Sequence, residues 1–242
     1  MPATFAVMAT YPARMPYVGR ALESIMRQVD SVYLVANLMS KSTARKHIPK
    51  GIQVISPRDD LKDTGKFFVD FGDEDEVLLC DDDIEYPQDY VSTLRDRYLM
   101  LSSLQPIIGV HGVVYSDFFD GNPSSRLVHV FHRALAEDRF VNQVGTGTVF
   151  CRGFQMPPFE FMADSQRFVD LRFAVHCHRN HYPRICVSRP ADWLRNLDPA
   201  DSLFESFTRE WPAHCTREAQ EIAGTRLLPP QRVLTGSNRG AH

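Results

Sequence analysis

Basic charge is not in excess in this chain. Its 27 Lys and Arg against 30 Asp and Glu give a formal net charge of −3 at pH 7 and an isoelectric point near 6.3. The electrostatic footprint of a nucleic-acid-binding surface is therefore missing. Long apolar runs are missing too: nothing in the 242 residues approaches the roughly 20 apolar residues of a membrane-spanning helix. The run Thr4–Ala9 is too short for a secretory signal and lacks its basic start. Cysteine is scarce and odd in number; five residues without regular spacing argue against a disulfide framework and for a reducing compartment. A cytoplasmic location is expected, with peripheral membrane contact left open. Cys80 and Cys151 sit inside apolar runs and read as small core residues. No internal repeat or low-complexity tract occurs. Glycine-rich phosphate loops are absent where a nucleotidyltransferase would carry one, since Tyr11-Pro12-Ala13-Arg14, after the first expected strand, contains no glycine.

What the chain has is a concentrated block of acid. With 43% hydrophobic and 24% charged residues it is an ordinary globular composition, long enough for a sizeable core. Yet twelve acidic residues fall between Asp59 and Glu85, against only Lys62 and Lys66 as bases. Most of that block reads as a solvated face. The exception is Val77-Leu78-Leu79-Cys80-Asp81-Asp82-Asp83-Ile84-Glu85-Tyr86-Pro87, where four apolar residues of a buried strand run into three carboxylates. Adjacent carboxylates repel one another and call for positive charge, most simply a divalent cation. Side chains two apart in an extended segment point the same way, so Asp81 and Asp83 can face one ligand while Asp82 faces elsewhere. A hard cation held by one or two carboxylates, with phosphate oxygens in its other positions, is a means of binding a nucleoside diphosphate.

Periodicity places this loop in an α/β frame. Strands are expected at Thr4–Thr10, Ser31–Ala36, Gly51–Ser56, Val77–Cys80 and Ile107–Val114. Helices are expected over about 17–28, 65–71 and from Pro87 to near Pro106. That rhythm predicts a mostly parallel sheet with right-handed crossovers, whose ligands bind beyond the carboxyl ends of the strands. Tyr11–Arg14, Asn37 and Asp81–Asp83 all fall at such ends. The second half is less regular: a loop over 115–126, strands at Leu127–His132, Val144–Cys151 and Arg184–Val187, and a helix from Phe168 to about His178. Gly145 and Gly147 suggest a bulge or close backbone approach. A flexible tail is expected over 229–242.

In order along the chain, Ala9-Thr10-Tyr11-Pro12-Ala13-Arg14, Leu22-Glu23-Ser24-Ile25 with Gln28, and Tyr33-Leu34-Val35-Ala36-Asn37 resemble the opening of family 2-like glycosyltransferases. Asp63-Thr64-Gly65-Lys66-Phe67, the Asp81–Asp83 loop, Gly145-Thr146-Gly147-Thr148-Val149 and Asp170 extend the resemblance over residues 4–195. It implies a GT-A fold, here one domain over 1–228, with a nucleotide-sugar half (1–106) and an acceptor half (107–228). It also implies a metal-dependent, inverting transfer from a nucleotide sugar, of which a UDP-sugar is the expected donor. By the same resemblance Thr10, Tyr11, Pro12 and Arg14 would contact the base or ribose, and Asn37 would lie at the same edge. Lys66 would approach the base or phosphates, Asp81 and Asp82 would face ribose and sugar, and Asp83, with Asp81, would hold Mn²⁺ or Mg²⁺. Asp170 would be the general base, with Asp164 as the alternative and valine at 169 where relatives often carry a first acid.

Bacterial surface glycan is the acceptor the resemblance favours. A hydroxylated nucleobase of phage-type DNA and a catalytically inactive nucleotide- or glycan-binding module are the alternatives. Nucleic acid is the less favoured partner because of the acidic isoelectric point. His176-Cys177-His178-Arg179-Asn180-His181 matches no common zinc spacing and reads as a helix end stabilised by the dipole. His214 is a candidate third metal ligand by position alone, the plainer reading being a surface-loop histidine. Arg189 and Trp193 are similar to a stretch that flanks the acceptor site in relatives. Arg126, His129, His132 and Arg133 could meet an anionic acceptor.

Overall fold

A computed structural model describes residues 2–197 and 211–223; the expected tail over 229–242 lies outside them. The chain opens with β1 (Thr4–Thr10) and a 3-10 turn at Pro12–Arg14 that leads directly into α1 (Met15–Ile25). Val18, Ala21, Leu22 and Ile25 form the buried stripe of α1 at the spacing its sequence predicts. There follow β2 (Ser31–Ala36), α2 (Lys41–Ala44), β3 (Gln53–Ile55), a second 3-10 turn (Lys62–Phe67) and β4 (Glu76–Cys80). The expected helix over 65–71 is this 3-10 turn. β4 begins one residue before its apolar run because Glu76, itself buried, pairs with Arg95 at 2.6 Å.

Beyond the acidic loop come β5 (Ile84–Glu85), α3 (Tyr90–Met100), β6 (Ile107–Gly109), β7 (Gly112–Val114), β8 (Leu127–His129), β9 (Arg139–Val141), β10 (Gln143–Val144) and β11 (Thr148–Arg152). The described residues end with α4 (Phe159–Met162), α5 (Val169–Arg179), β12 (Arg184–Cys186), β13 (Arg195–Asn196) and α6 (Ala213–Ala223).

Eight strands form the central sheet in the order β3-β2-β1-β4-β11-β6-β12-β9. The sheet is mixed. β3-β2-β1-β4 and the β6–β12 pair are parallel, whereas β11 runs antiparallel to both β4 and β6, and β9 runs antiparallel to β12. Successive β4 residues are buried on both faces. Leu78 and Cys80 pack with Leu22, Leu34, Leu94 and Phe150 on one side, and Val77 and Leu79 with Phe67, Val149 and Phe173 on the other. Each such side chain contributes about 1.5–3 kcal/mol.

Two expected strands are divided. Ile107–Val114 splits into β6 and β7, which belong to different sheets, because Thr148 Oγ1 takes the backbone N–H groups of Val110 and His111 at 3.2 and 3.0 Å. Val144–Cys151 splits likewise into β10 and β11, separated by a turn closed by Thr148 N–H to Gly145 O at 3.0 Å. That break puts residues 145–147 beside the end of β4. No helix of the described residues is long and apolar enough to cross a membrane.

Candidate active site

The acid loop is held by two groups that its own strand could not supply. The Tyr86 hydroxyl accepts from Asp81 N–H at 2.8 Å and donates to Gly147 O at 2.7 Å, pinning the end of β4 to the turn before β11. The Asp81 carboxylate lies so close over Gly147 that a Cβ there would overlap it, so a side chain at this position would force Asp81 or the turn to shift. Lys66, only 3% exposed, reaches up from the 3-10 turn and donates to Asp81 Oδ1 at 2.6 Å and to Thr146 Oγ1 at 3.1 Å. Burial works against the ammonium, but Asp81, Asp170 and Asp63 outweigh it and hold the Lys66 pKa above its ordinary value. Thr146 in turn donates from both its backbone N–H (2.8 Å) and its hydroxyl (2.6 Å) to Asp170 Oδ1.

Asp170 sits in the first turn of α5, where the helix dipole favours a carboxylate. Its Oδ2 makes no hydrogen bond among the described residues. Asp63, whose two oxygens accept from Arg167 N–H at 2.8 and 3.0 Å, completes the acidic ring around Lys66; burial raises its pKa, as does the Asp170 charge.

On the other side of the loop stands Arg14, 5% exposed, with Nη1 3.3 Å from Asp83 Oδ2 and Nε 4.0 Å from Asp82 Oδ1. Burial opposes its charge, and Asp83 and Asp82 overcome that opposition. The carboxylates remain crowded nonetheless. Burial, then the Asp81 charge, pushes Asp83 up to about 6 against the pull of Arg14. Burial pushes Asp82 up to about 7, offset in part by the neighbouring Thr10 hydroxyl and reinforced by Asp83 and Asp81. Thr10 Oγ1 and Asp82 Oδ2 are both buried without a hydrogen bond of ordinary geometry. Asp82 and Asp83 both turn toward Arg14 while Asp81 turns to Lys66, so the alternation expected of an extended segment is not kept in this turn, and Asp82 is buried in protein.

This crowding of three carboxylates against two cationic side chains fits a hard cation. Asp81 and Asp83 could give it two oxygens, leaving the rest to a ligand or water. No group of three or more His, Cys, Asp and Glu among the described residues is arranged to hold a metal by itself.

The other expected residues divide clearly. Tyr11 (36% exposed) and Pro12 lie at the mouth of the site, after β1. Asn37 is at the same edge, but its amide is consumed inside the fold. It donates to Thr10 O (3.3 Å) and Lys62 O (3.0 Å) and accepts from Leu61 N–H (3.0 Å), tying β1 and β2 to the turn that carries Lys66. Asp164 is an exposed partner of Arg172 at 2.5 Å. His214 is on α6 rather than in a loop, with its ring 6.2 Å from Phe168. His176 Nε2 lies 3.1 Å from Gln155 O, within the helix-end arrangement its sequence suggests.

Arg189 is 6% exposed and spends its guanidinium on the carbonyls of His129, Val130, Phe131 and Val187, and Trp193 packs 5.7 Å from Tyr90. Arg189 is thus taken up by the fold, whereas Trp193 is half-buried and donates from its indole N–H to Asp89 Oδ1 at 3.1 Å. Arg126 stacks 5.7 Å over Trp211, while His132 and Arg133 are exposed.

Two residues escaped the sequence reading. Thr146 lay inside an expected strand, within the Gly145–Val149 run, and was given no role of its own. His111, between β6 and β7, packs against Gly145 and within the field of Asp170 and Asp81. A single histidine in an apolar run carries no signal. Compared with known proteins, the chain matches no family model and no curated sequence.

Proposed function

We propose that this protein is a metal-dependent, inverting glycosyltransferase of the GT-A kind, moving a sugar from a nucleoside diphosphate donor, most simply a UDP-sugar, to an acceptor hydroxyl. The observation that carries the reading is the pairing of two carboxylate groups across Lys66. The Asp81–Asp83 loop suits a cation and diphosphate, and Asp170 has one oxygen fixed by Thr146 and the other free. A bound Mn²⁺ or Mg²⁺, held by Asp83 and Asp81, would supply Lewis-acid stabilisation of the leaving diphosphate.

The protein's own groups do the remainder. Arg14 and Lys66 hold positive charge beside the acid loop, where charge builds on the leaving group. Thr10, Tyr11 and Pro12 border the nucleotide. The acceptor oxygen bonds to the anomeric carbon while the bond from that carbon to the diphosphate oxygen breaks. The bonding pair leaves with the diphosphate, and the acceptor's proton passes to Asp170 Oδ2. A base opposite the leaving group implies inversion. The acceptor class that fits best is a glycan hydroxyl.

Thermal melting with a panel of nucleotides and nucleotide sugars, with and without Mn²⁺, tests the donor side. A ligand at about 100 times its dissociation constant stabilises by about 2.7 kcal/mol, raising the midpoint by roughly 5–10 °C. Wild type and Asp170→Asn should both show a Mn²⁺-dependent shift with one nucleoside diphosphate, and Asp83→Ala should lose it. A shift retained in full by Asp83→Ala would overturn the site assignment. No shift with any nucleotide would overturn the donor reading.

A further inference from the structure

We propose that Thr146 and Lys66 are positioning residues that join the donor-side and acceptor-side carboxylates in one hydrogen-bonded relay, Asp81–Lys66–Thr146–Asp170; this rests on the glycosyl-transfer reading and deepens it. Each link has a defined direction. Lys66 Nζ has only protons to give, and it gives them to Asp81 Oδ1 at 2.6 Å and Thr146 Oγ1 at 3.1 Å. With its lone pair so used, the Thr146 hydroxyl points its own proton at Asp170 Oδ1, 2.6 Å away. The Thr146 N–H falls on the same oxygen at 2.8 Å.

The consequence is geometric. A carboxylate gripped twice through one oxygen cannot turn about its Cβ–Cγ bond without breaking both bonds, so Oδ2 is aimed in a fixed direction. Thr146 is fully buried and Lys66 nearly so, which leaves neither side chain room to swing away. The turn that presents Thr146 is itself fixed from both ends, by Gly145 N–H to His111 O at 3.0 Å and by Tyr86 on Gly147 O at 2.7 Å. A shift of Asp81 on the donor side is therefore transmitted through Lys66 to the base. The ionisable groups that face Asp170 come from three elements: Asp63 and Lys66 from the 3-10 turn, His111 from the β6–β7 junction, and Tyr115 from the segment after β7.

Thr146→Val keeps the shape and the backbone N–H, removing only the hydroxyl that serves both Lys66 and Asp170. UDP release from UDP-glucose, UDP-galactose and UDP-N-acetylglucosamine to water in Mn²⁺ gives the functional readout. Thr146→Val should lower kcat by roughly 10- to 100-fold while leaving the nucleotide-dependent melting shift unchanged. It should do so without raising KM for the nucleotide sugar, because the aim of Asp170 is lost and the donor contacts are not. Thr146→Ser should restore kcat.

A second readout needs no substrate: ¹³C relaxation of the Asp170 side chain should show greater mobility in Thr146→Val and return to the wild-type value in Thr146→Ser. If the wild type binds a nucleotide, and Thr146→Val keeps either its kcat or the rigidity of its Asp170 side chain, the relay is overturned alone. If the wild type neither binds a nucleotide nor releases UDP, the transfer reading falls and takes the relay with it.

Discussion

His111 shows how a residue without any sequence signature acquires a defined role from its surroundings. Its ring packs against Gly145 and lies 6.4 Å from the ring of Phe131. Burial, helped by the Arg189 and Arg126 charges, pushes its pKa down to about 4, while Asp170 and Asp81 pull the other way. The neutral imidazole is thus the folded form. Between about 6.5 and about 4 the unfolded chain binds more protons than the folded one, so this contribution to stability is complete above about 6.5 and is lost as the pH falls through about 4. In urea denaturation, the stability of wild type relative to His111→Gln should fall by roughly 2–3 kcal/mol from pH 7.5 to pH 4.5. A gap that stays constant across that range would mean that His111 is not held neutral. The contrast with Asp81–Asp83, Lys66 and Asp170 is instructive. Those drew attention because charge stood where an apolar run stopped or a helix began, and they do lie together in the fold. Arg189 shows the opposite case: an Arg near a Trp looks like a binding pair, yet the carbonyls that absorb Arg189 belong to residues 129–131, some sixty positions away.

At the scale of elements, the same distance effect decides which strands could be read. β1 and β2 follow from their own apolar patterns, residue for residue. The division of Ile107–Val114 does not, because it depends on Thr148 capturing the N–H groups of Val110 and His111 from some forty residues away. The glycines at 145 and 147 hinted at a bulge, and the physical cause at 147 is now specific: the Asp81 carboxylate occupies the space of a Cβ. Gly147→Ala therefore sets a methyl group against a carboxylate that Lys66 holds at 2.6 Å. Relief requires either the turn or the end of β4 to move, and Tyr86 couples the two. The expected result is a loss of roughly 1–3 kcal/mol in denaturant unfolding, the usual range for overpacking. It should be accompanied by a weakened Mn²⁺-dependent nucleotide shift in melting. Unchanged stability together with an unchanged shift would show that Asp81 leaves this position freely.

For the whole molecule, the legible part of the fold is the part whose partners are near in sequence. The βαβ rhythm of the first half yields the parallel run β3-β2-β1-β4, since each connection is short and local. The second half was read as less regular, within a sheet expected to be mostly parallel. Instead β11 inserts antiparallel between β4 and β6, an order that depends on pairing across about seventy residues and that no periodicity encodes. That insertion is also what makes the site, because it sets the 145–147 turn and the start of α5 against the carboxyl ends of β1 and β4. Four stretches remote in sequence, 10–14, 62–67, 81–83 and 145–147, thus meet in one place through Arg14, Lys66, the carboxylates and Thr146. They should respond to a ligand together. Amide hydrogen exchange without ligand should be slowest in β1, β4 and β11, whose residues are almost entirely buried. Addition of UDP with Mn²⁺ should slow exchange jointly in the four stretches, leaving the exposed segment 132–134 as it was. Protection confined to 81–83 would mean a local acidic loop that binds metal alone. Protection in all four would mean that the second half of the chain closes the site that the first half opens, and that the antiparallel β11 is the element on which the function depends.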